Sequence, residues 1–339
     1  MSLVDASDAG RRERVNGLIT ACWTTQVIAE AVRLGLPDRL AQGPAASDGL
    51  AADTGMNADA LHRLLCAMAS IGLVTHHGGL TFSLAPDGAM LCRDAPDSLR
   101  GVALHWGDRQ WRSFGLLGAA LADGKAHVSE GFENLQKDPA QADVFNRAMA
   151  EQSLRVGRAA AQAYDFSAMK RVLDVGGGYG AVLAALLAAN PQLEGASFDL
   201  PEVEPGARRY LAEHALGQRA DYVGGSFFEA VPAGYDCHVL KFIIHDWGDD
   251  ESRRILSNCA RSVAAGGVVL LLEQVVPDVI TADARTAAVL RGDLIMLNIG
   301  GRERTRAQYE ALLRESGLSL VRIVPTATTF SVIEARPLV

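Results

Sequence analysis

The sequence predicts a two-domain α/β protein in which a helical N-terminal part precedes a mostly parallel β-sheet. The chain has 339 residues, a length that suits two domains better than one. Hydrophobic residues make up 49% of the chain and aromatic residues only 6%, so Ala, Leu and Val must supply most of the core. From residue 171 onward, short β-branched runs alternate with Ala- and Leu-rich helical patterns. This alternation is typical of βαβ units.

The charge balance and the cysteines argue against several classes of protein. The formal net charge is -8, and residues 1–100 contain eight Arg, no Lys and eleven Asp plus Glu, which argues against binding to nucleic acid. The five cysteines form no CxxC pair, so we expect reduced thiols, no disulfide and no metal site. No segment approaches the roughly 18 consecutive apolar residues of a spanning helix. These features predict a cytoplasmic protein that does not bind membranes.

The N-terminal part has the pattern of a winged helix. Apolar residues recur every three or four positions between residues 15 and 40, which predicts an amphipathic helix. Asn57 is the expected N-cap of a later helix, and a hairpin is expected around the Gly-Gly turn at 78–79. Winged helices can bind DNA, but the acidic charge favours dimerisation. We predict a winged-helix-like dimerisation domain at 1–100, with its apolar stripe buried against a second copy of the chain.

Two further regions follow this domain. Residues 101–165 are predicted to form a helical linker that contributes to the substrate pocket, and residues 166–339 a domain built on the parallel sheet. The last two apolar runs, LSLVRIV and FSVIEAR, have no helix between them, so we expect a hairpin at the sheet edge. Ligands bind beyond the carboxyl ends of the strands in such sheets. The residues that follow each strand are therefore the candidates for a site.

A glycine-rich turn follows the first strand. In GGGYGA, Gly176, Gly178 and Gly180 permit a tight turn and let backbone amides approach a ligand. Asp199 ends the next strand, where a carboxylate can accept hydrogen bonds from two ribose hydroxyls. The turn also matches the dinucleotide fingerprint, but the nearby Asp174 suits the cationic tail of S-adenosylmethionine better than a pyrophosphate. We therefore expect S-adenosylmethionine rather than NAD.

Three titratable residues follow the later strands. His245 lies just past the run CHVLKFII, Glu273 ends the run VVLLL, and Glu303 lies in GGRERT. An acidic residue directly after a fully apolar strand requires a polar partner. Two carboxylates beside one imidazole orient the ring and stabilise its protonated form, as a general base requires. These three residues are the predicted catalytic group.

In this order and at these spacings, the motifs LDVGGGYG, FDLPEV, LKFIIHDWGDDES, LLLE and GGRERT resemble those of the S-adenosylmethionine-dependent O-methyltransferases. The similar group contains plant caffeic acid, vertebrate hydroxyindole and bacterial antibiotic-pathway O-methyltransferases. The resemblance implies a Rossmann-like methyltransferase sheet with an N-terminal α-helical winged-helix dimerisation domain, in a homodimer without a metal. It also implies methyl transfer to a hydroxyl of a small aromatic or polyketide-like secondary metabolite, with S-adenosyl-L-homocysteine as product.

The resemblance also implies roles for individual residues. His245 matches the family's catalytic base, and Glu273 and Glu303 match the acidic residues that orient it. The cofactor-binding positions are Gly176, Gly178, Asp199, Ser226, Phe227 and Lys241, and the acceptor-pocket positions are Phe145, Met149, Met296 and Asn298. Ser226 departs from the family, which usually has an Asp near the adenine amino group. We therefore expect cofactor binding to be weaker or differently arranged.

Several alternatives remain open on the sequence alone. Transfer to nitrogen or carbon would also use a base, and relatives of this fold that decarboxylate or hydroxylate retain the cofactor. The presence of His245, Glu273 and Glu303 counts against decarboxylation and hydroxylation. A nicotinamide oxidoreductase and a DNA-binding regulator are the more remote alternatives. For Phe145, Met149 and Met296, a place in the core is as plausible as one in the pocket.

Overall fold

The computed structural model describes residues 8–96, 98–128, 139–214 and 216–338, without the side chains of 139–148 and 217. The chain divides into two compact units, Met1–Trp111 and Arg112–Val339. The three-part division at residues 100 and 165 stays a prediction. Among the described residues, no helix combines the length and the apolarity that crossing a membrane requires.

The first unit consists of short helices and a small antiparallel sheet. Its helices are α1 (Asp8–Thr20), α2 (Cys22–Arg33), α3 (Leu36–Leu40), α4 (Ser47–Thr54), α5 (Ala58–Ser70), α6 (Pro86–Ala89) and α7 (Arg100–His105), and its strands are β1 (Ala45–Ala46), β2 (Val74–His76) and β3 (Thr81–Leu84). A π-helical turn, Trp106–Gln110, continues α7. The strands lie in the order β1-β3-β2, with both pairs antiparallel.

Local signals account for much of this unit. The side chain of Asn57 accepts a hydrogen bond from the backbone N–H of Ala60, which confirms the predicted N-cap of α5. The predicted hairpin is confirmed as β2 and β3. The single helix expected between residues 15 and 40 is wrong, because the segment forms three helices and Gly35 adopts a left-handed conformation (φ 65°) between the last two.

The second unit is an α/β domain. Helix α8 (Trp111–Gly115) spans the boundary, and the remaining helices are α9 (Leu117–Asp123), α10 (Pro139–Ala163), α11 (Ala181–Ala189), α12 (Glu204–Glu213), α13 (Asp249–Ser262), α14 (Ala284–Ile299) and α15 (Arg306–Glu315). The strands are β4 (Arg171–Val175), β5 (Glu194–Asp199), β6 (Ala220–Gly224), β7 (Cys237–Lys241), β8 (Val268–Val276), β9 (Arg304–Thr305), β10 (Leu318–Pro325) and β11 (Phe330–Pro337). Three 3-10 turns lie at Pro201–Val203, Gly217–Arg219 and Ile244–Asp246.

The main sheet has the order β10-β11-β8-β7-β4-β5-β6, and β9 pairs with the end of β8. Strands β4 to β8 are parallel to one another. Strand β11 runs antiparallel to both of its neighbours, β8 and β10. The predicted C-terminal hairpin is therefore confirmed, but only β10 lies at the edge. Residues 330–335 of β11 are buried, which suits an interior strand covered on both faces.

Alternate residues of the central strands face two separate cores. Val172 of β4 belongs to a core that includes residues of α10 and α11, whereas the next residue, Leu173, faces a core that includes residues of α13 and α15. Helices therefore cover both faces of the sheet, which is why nearly every residue of β4 and β7 is buried. This packing leaves the carboxyl ends of the parallel strands as the place for a site.

Two strand ends differ from the sequence prediction. The run CHVLKFII was expected to be one strand, but β7 ends at Lys241 and the next residue, Phe242, adopts a left-handed backbone (φ 60°). Glu273 was expected to end its strand, but β8 continues to Val276. Glu273 therefore lies inside the strand, and its side chain is fully buried.

Candidate active site

His245 lies in the 3-10 turn that follows β7. The left-handed backbone of Phe242, which residues other than glycine rarely adopt, turns the chain sharply out of the strand. The backbone N–H groups of Ile243 and Ile244 donate hydrogen bonds to Oε1 of Glu273, at 3.1 and 2.9 Å. The imidazole packs on the ring of Phe242 with 5.3 Å between the centroids. The turn therefore holds the ring against the strand that contains Glu273.

The predicted catalytic residues lie together in the structure. Nδ1 of His245 is 2.9 Å from Oε1 of Glu303 and 3.6 Å from Oε2 of Glu273. Nε2 lies 3.4 Å from Oδ1 of Asp246, a residue that the sequence analysis did not single out. The motif HDWGDD contains three aspartates, and only the geometry distinguishes the one beside the ring. Both glutamates therefore face Nδ1, whereas Asp246 faces Nε2.

The surrounding charges make the imidazole strongly basic. Burial alone would lower the pKa of His245, but the carboxylates of Glu273, Asp246 and Glu303 raise it to about 10. Burial raises the pKa of Glu273 to about 7, although the nearby imidazolium opposes this shift. The group therefore binds a proton tightly at neutral pH, and the proton belongs to the coupled group rather than to one atom.

The GGRERT segment is positioned by helix α14 and by the His245 turn. The backbone N–H of Glu303 donates a hydrogen bond to Oδ1 of Asp293, at 2.8 Å. The backbone N–H of Arg302 donates to the backbone oxygen of His245, also at 2.8 Å. A Cβ atom on Gly301 would lie 2.0 Å from that same oxygen. Only glycine therefore allows this segment to pass so close to the turn.

Arg304 is a buried residue of this segment that the sequence analysis missed. It is 1% exposed, and its guanidinium donates hydrogen bonds to the backbone oxygens of Ile244 (2.8 Å) and Trp247 (3.0 Å). It also donates to Oδ1 of Asp249 at 2.8 Å. The sequence offers little signal for this role, because an Arg in a glycine-rich loop is usually exposed. Arg304 fixes the backbone on both sides of His245.

The glycine-rich turn after β4 depends on left-handed backbone conformations. Gly176, Gly178 and Gly180 have φ angles of 69°, 54° and 80°. A Cβ atom on Gly176 would lie 2.4 Å from Cδ1 of Ile243, so the turn packs directly on the segment that precedes His245. A Cβ atom on Gly178 would meet no heavy atom within 4 Å. The turn therefore leaves space at Gly178, where a ligand can approach the backbone.

Asp199 is fixed next to this turn. Its Oδ2 accepts a hydrogen bond from the backbone N–H of Gly178 at 2.8 Å, and its Oδ1 accepts one from Leu200 at 2.7 Å. Each oxygen keeps a lone pair for a ribose hydroxyl, so the residues fit the expected cofactor. Asp174 is 1% exposed and accepts a hydrogen bond from the backbone N–H of Leu183, at 3.2 Å. Burial raises the pKa of Asp174 to about 7.

Phe227 and Ser226, the two residues predicted to contact the adenine, have different surroundings in the structure. The ring of Phe227 lies beside the glycine-rich turn, 3.3 Å from where a Cβ atom on Gly176 would be. The hydroxyl of Ser226 accepts a hydrogen bond from the backbone N–H of Phe228 at 3.3 Å, so it takes part in a local turn.

Lys241, the third residue predicted to lie near the adenine, contacts helix α10 and the ring of Phe242. Its Nζ donates a hydrogen bond to Oγ of Ser153 on α10 at 2.8 Å and lies 3.2 Å from the centroid of the Phe242 ring. Burial lowers the pKa of Lys241 to about 7. Its ammonium group thus contacts α10 and the His245 turn, and its expected place near the adenine stays a prediction.

The predicted acceptor positions are only partly described. Phe145 lies in α10, but its side chain is outside the described residues. Met149 of α10 is half-buried, and Met296 of α14 is 9% exposed. Asn298 is fully buried, and its Nδ2 donates hydrogen bonds to the backbone oxygen and the Oγ of Ser113, at 3.0 and 3.1 Å. This amide nitrogen therefore joins α14 to α8, and a role for Asn298 in contacting the acceptor stays a prediction.

Comparison with known proteins identifies the family. Residues 117–319 match the O-methyltransferase domain, and residues 16–94 match the O-methyltransferase dimerisation domain. The chain belongs to the S-adenosylmethionine-dependent O-methyltransferases. The fold class, the methyltransferase activity, the S-adenosylmethionine cofactor and the homodimer predicted from the sequence are thereby confirmed. The match over 16–94 favours dimerisation over DNA binding for the winged helix.

Three relatives cover nearly the full length of this methyltransferase. A phenazine O-methyltransferase from Lysobacter antibioticus is 37% identical over 95% of each chain. The crystal structure of LaPhzM has a TM-score of 0.91 at 37% identity and covers 96% of this chain and 99% of its own. The O-methyltransferase NcsB1 from neocarzinostatin biosynthesis was solved with S-adenosylmethionine and 2-hydroxy-5-methyl naphthoic acid. It has a TM-score of 0.78 at 32% identity over 93% of this chain and 96% of its own.

Proposed function

We propose that this methyltransferase acts on a hydroxyl group of a small, flat, aromatic or polyketide-like metabolite, with Nε2 of His245 as the general base. The observation that supports this most strongly is the buried imidazole whose Nδ1 lies 2.9 Å from Glu303 and 3.6 Å from Glu273. With the ring proton directed at these carboxylates, the lone pair of the neutral ring is on Nε2. A base in this tautomer can accept the proton of a hydroxyl group.

The residues of the chain have two tasks in this reaction. When bound, S-adenosylmethionine supplies a methyl group that its sulfonium makes electrophilic. Asp199 and the backbone of the turn at Gly178 would hold its ribose, which would orient the methyl group toward the acceptor oxygen. Nε2 of His245 accepts the hydroxyl proton as the oxygen–carbon bond forms and the carbon–sulfur bond breaks. Glu303 and Glu273 would then stabilise the imidazolium that forms as the methyl group is transferred.

The class of acceptor is inferred from relatives and from the expected lining of the pocket. One relative is a phenazine O-methyltransferase, and NcsB1 binds a hydroxynaphthoic acid. The side chains expected to line the pocket, Phe145, Met149 and Met296, would suit a flat apolar ring. We also assign the enzyme to the cytoplasm, since all five cysteines are unpaired thiols, as is typical of a reducing compartment.

The test is transfer of a labelled methyl group from S-adenosylmethionine to a panel of hydroxylated phenazines, naphthoates and simple phenols. Each hydroxyl compound is paired with its O-methyl ether and with the matching aromatic amine. We expect label on at least one hydroxyl compound and none on the corresponding ether. Label on the amines alone would contradict O-transfer in favour of N-transfer. Loss of carbon dioxide without label transfer would indicate a decarboxylase.

A further inference from the structure

We propose that His245, Glu273 and Glu303 also form a binding site for one divalent transition-metal ion such as Zn²⁺, and that an ion bound there inhibits methyl transfer. The site is inhibitory and is distinct from any metal requirement for catalysis. Its inhibitory effect rests on the proposed role of His245, whereas metal binding itself does not. The ligand chemistry is one imidazole nitrogen and two carboxylate oxygens, a donor set that zinc accepts.

The spacing of the three ligand atoms fits such an ion. One ligand atom from each of His245, Glu303 and Glu273 lies within 4.8 Å of the other two. Nδ1 is 2.9 Å from Oε1 of Glu303 and 3.6 Å from Oε2 of Glu273. Zinc bonds of roughly 2.0 Å in a tetrahedron place neighbouring ligand atoms about 3.3 Å apart. The distances from Nδ1 to the two oxygens, 2.9 and 3.6 Å, therefore differ from this value by only a few tenths of an ångström. A water molecule would take the fourth position.

Each of the two glutamates has a buried oxygen that lacks a hydrogen-bond partner. Glu273 is 0% exposed and Glu303 is 4% exposed, and Oε2 of each has no partner among the described residues. Buried carboxylate oxygens are normally hydrogen-bonded, since desolvation without a partner is costly. In Glu273, Oε1 is already held by two backbone N–H groups, and Oε2 is the oxygen nearer the imidazole. This oxygen accepts no hydrogen bond and lies 3.6 Å from Nδ1, on the side of the ring where the ion would bind.

Surrounding contacts orient the ligands before any ion binds. The backbone of Ile243 and Ile244 fixes Glu273, and Asp293 fixes the backbone of Glu303. Such outer contacts strengthen metal sites because the ligands need little rearrangement. The two glutamates together with a divalent ion are neutral, so an ion relieves the repulsion between two buried carboxylates. Asp246 faces Nε2 on the other side of the ring and adds to the negative potential.

An ion at this position would remove the base. Once Nδ1 is bound to a metal, the neutral ring carries its proton on Nε2. Nε2 then has no lone pair to accept the proton of the acceptor hydroxyl, so turnover stops. The cofactor residues Gly178 and Asp199 are not ligands, so cofactor binding should be preserved. Removal of the ion by a chelator should restore activity.

The binding test uses untagged full-length enzyme that has been dialysed against a chelator. Zinc chloride is titrated in a calorimeter, and Co²⁺ is followed by its absorption spectrum. We expect one ion per chain, and binding weaker by about tenfold or more in Glu303→Gln and His245→Gln. Glu310→Gln, which removes an exposed carboxylate from α15, should bind zinc as the wild type does. A thermal shift with S-adenosyl-L-homocysteine checks that each variant is folded.

Thiols are the main competing ligands, because Cys22 is exposed and Cys66 and Cys92 are partly exposed. Their replacement by Ser in one variant should leave both the zinc affinity and the Co²⁺ spectrum unchanged. Loss of zinc binding in this variant, with full binding in Glu303→Gln, would assign the ion to the thiols and overturn the proposal.

The kinetic test uses an acceptor without adjacent oxygen donors, so that chelation by the acceptor does not imitate inhibition. Saturating zinc should lower turnover by about tenfold or more while the Kd for S-adenosylmethionine changes less than about twofold. Undiminished turnover at saturating zinc, or the absence of stoichiometric binding, would overturn the proposal. If His245→Gln turned over acceptor as well as the wild type, the proposed function would fail. The metal site would then be judged by the binding titration alone.

Discussion

Arg304 donates a hydrogen bond of 2.8 Å to the backbone oxygen of Ile244, the residue before His245, from the position directly after Glu303. One short segment therefore supplies the carboxylate that contacts Nδ1 and also fixes the turn that carries the ring. Trp247, two residues after His245, accepts a second hydrogen bond from the same guanidinium at 3.0 Å. The distance between the His245 ring and the Glu303 carboxylate therefore depends on these two hydrogen bonds of Arg304.

Replacing Arg304 by Met should weaken both the fold and the catalytic geometry. The buried backbone oxygens of Ile244 and Trp247 would lose their donors, which we expect to lower the free energy of unfolding by about 3 kcal/mol. The reduction in kcat should exceed any increase in KM, because the acceptor pocket is less affected than the base. Urea unfolding and steady-state kinetics measure the two effects. Arg302→Met is the matched control, since the Arg302 side chain is exposed in the same segment.

The pH dependence of turnover should follow the deprotonation of His245. Carboxylates raise the pKa of this imidazole to about 10, and only the neutral ring can act as a base. kcat/KM should therefore rise with pH through the neutral range, by about tenfold per unit for one ionisation. Glu303→Gln removes a negative charge and should shift this rise to lower pH. A profile that falls as pH rises through neutrality would contradict the role of His245.

The raised pKa of His245 also predicts that the stability of the fold falls as pH rises, whereas turnover increases. The pKa of His245 is higher in the folded chain than the ordinary value of 6.5, so its stabilising contribution is complete below pH 6.5 and is lost as pH rises toward 10. His245→Gln should therefore flatten the decrease in unfolding free energy over this range. Denaturant unfolding at several pH values measures it. An unchanged slope would indicate that His245 is not coupled to its carboxylates.

Ser226 should limit the affinity for the cofactor. Family members usually have an Asp at this position near the adenine amino group, and the Ser226 hydroxyl is engaged with the backbone of Phe228 instead. Ser226→Asp should lower the Kd for S-adenosylmethionine by about tenfold, because a hydrogen bond to a charged group contributes roughly 1.5 kcal/mol. Ser226→Ala serves as the control and should change the Kd little. If calorimetry gave Ser226→Asp the same Kd for S-adenosylmethionine as the wild type, the adenine would not lie beside residue 226.

The apolar stripe of α1 should lie in the dimer interface. Leu18 and Ile19 are 73% and 72% exposed in the single chain, and both lie within residues 16–94, which match the dimerisation domain. Exposed apolar residues in a cluster usually mark an interface. The double variant Leu18→Asp, Ile19→Asp should be monomeric in sedimentation at micromolar concentration, whereas Arg14→Gln should remain dimeric. If the double variant remained dimeric, the interface would not include the apolar stripe of α1.

Local pattern sufficed to predict the features that depend on neighbouring residues. The glycine-rich turn at Gly176 needs left-handed backbone, and Asn57 caps its helix with its own side chain. His245, Glu273 and Glu303 were predicted together because ordered motifs end at the same edge of a parallel sheet. The distances between these three side chains could not be predicted from the sequence, because they depend on where β7 ends.

The remaining features depend on contacts between distant segments. Phe242 lies in an apolar run, and nothing local indicates that its backbone is left-handed. β11 lies inside the sheet because it pairs with β8, which sequence alternation does not specify. Arg304 is buried because it satisfies backbone oxygens sixty residues away. Such long-range hydrogen bonds have no periodic signature.

The central claim is that His245 removes the proton from the acceptor. The most direct test is His245→Ala, measured for turnover with a confirmed acceptor and for S-adenosylmethionine binding by calorimetry. We predict a fall in kcat of about 100-fold or more, typical of the loss of a general base, with the Kd for the cofactor changed by less than about twofold. Equal turnover of the variant and the wild type would contradict the claim.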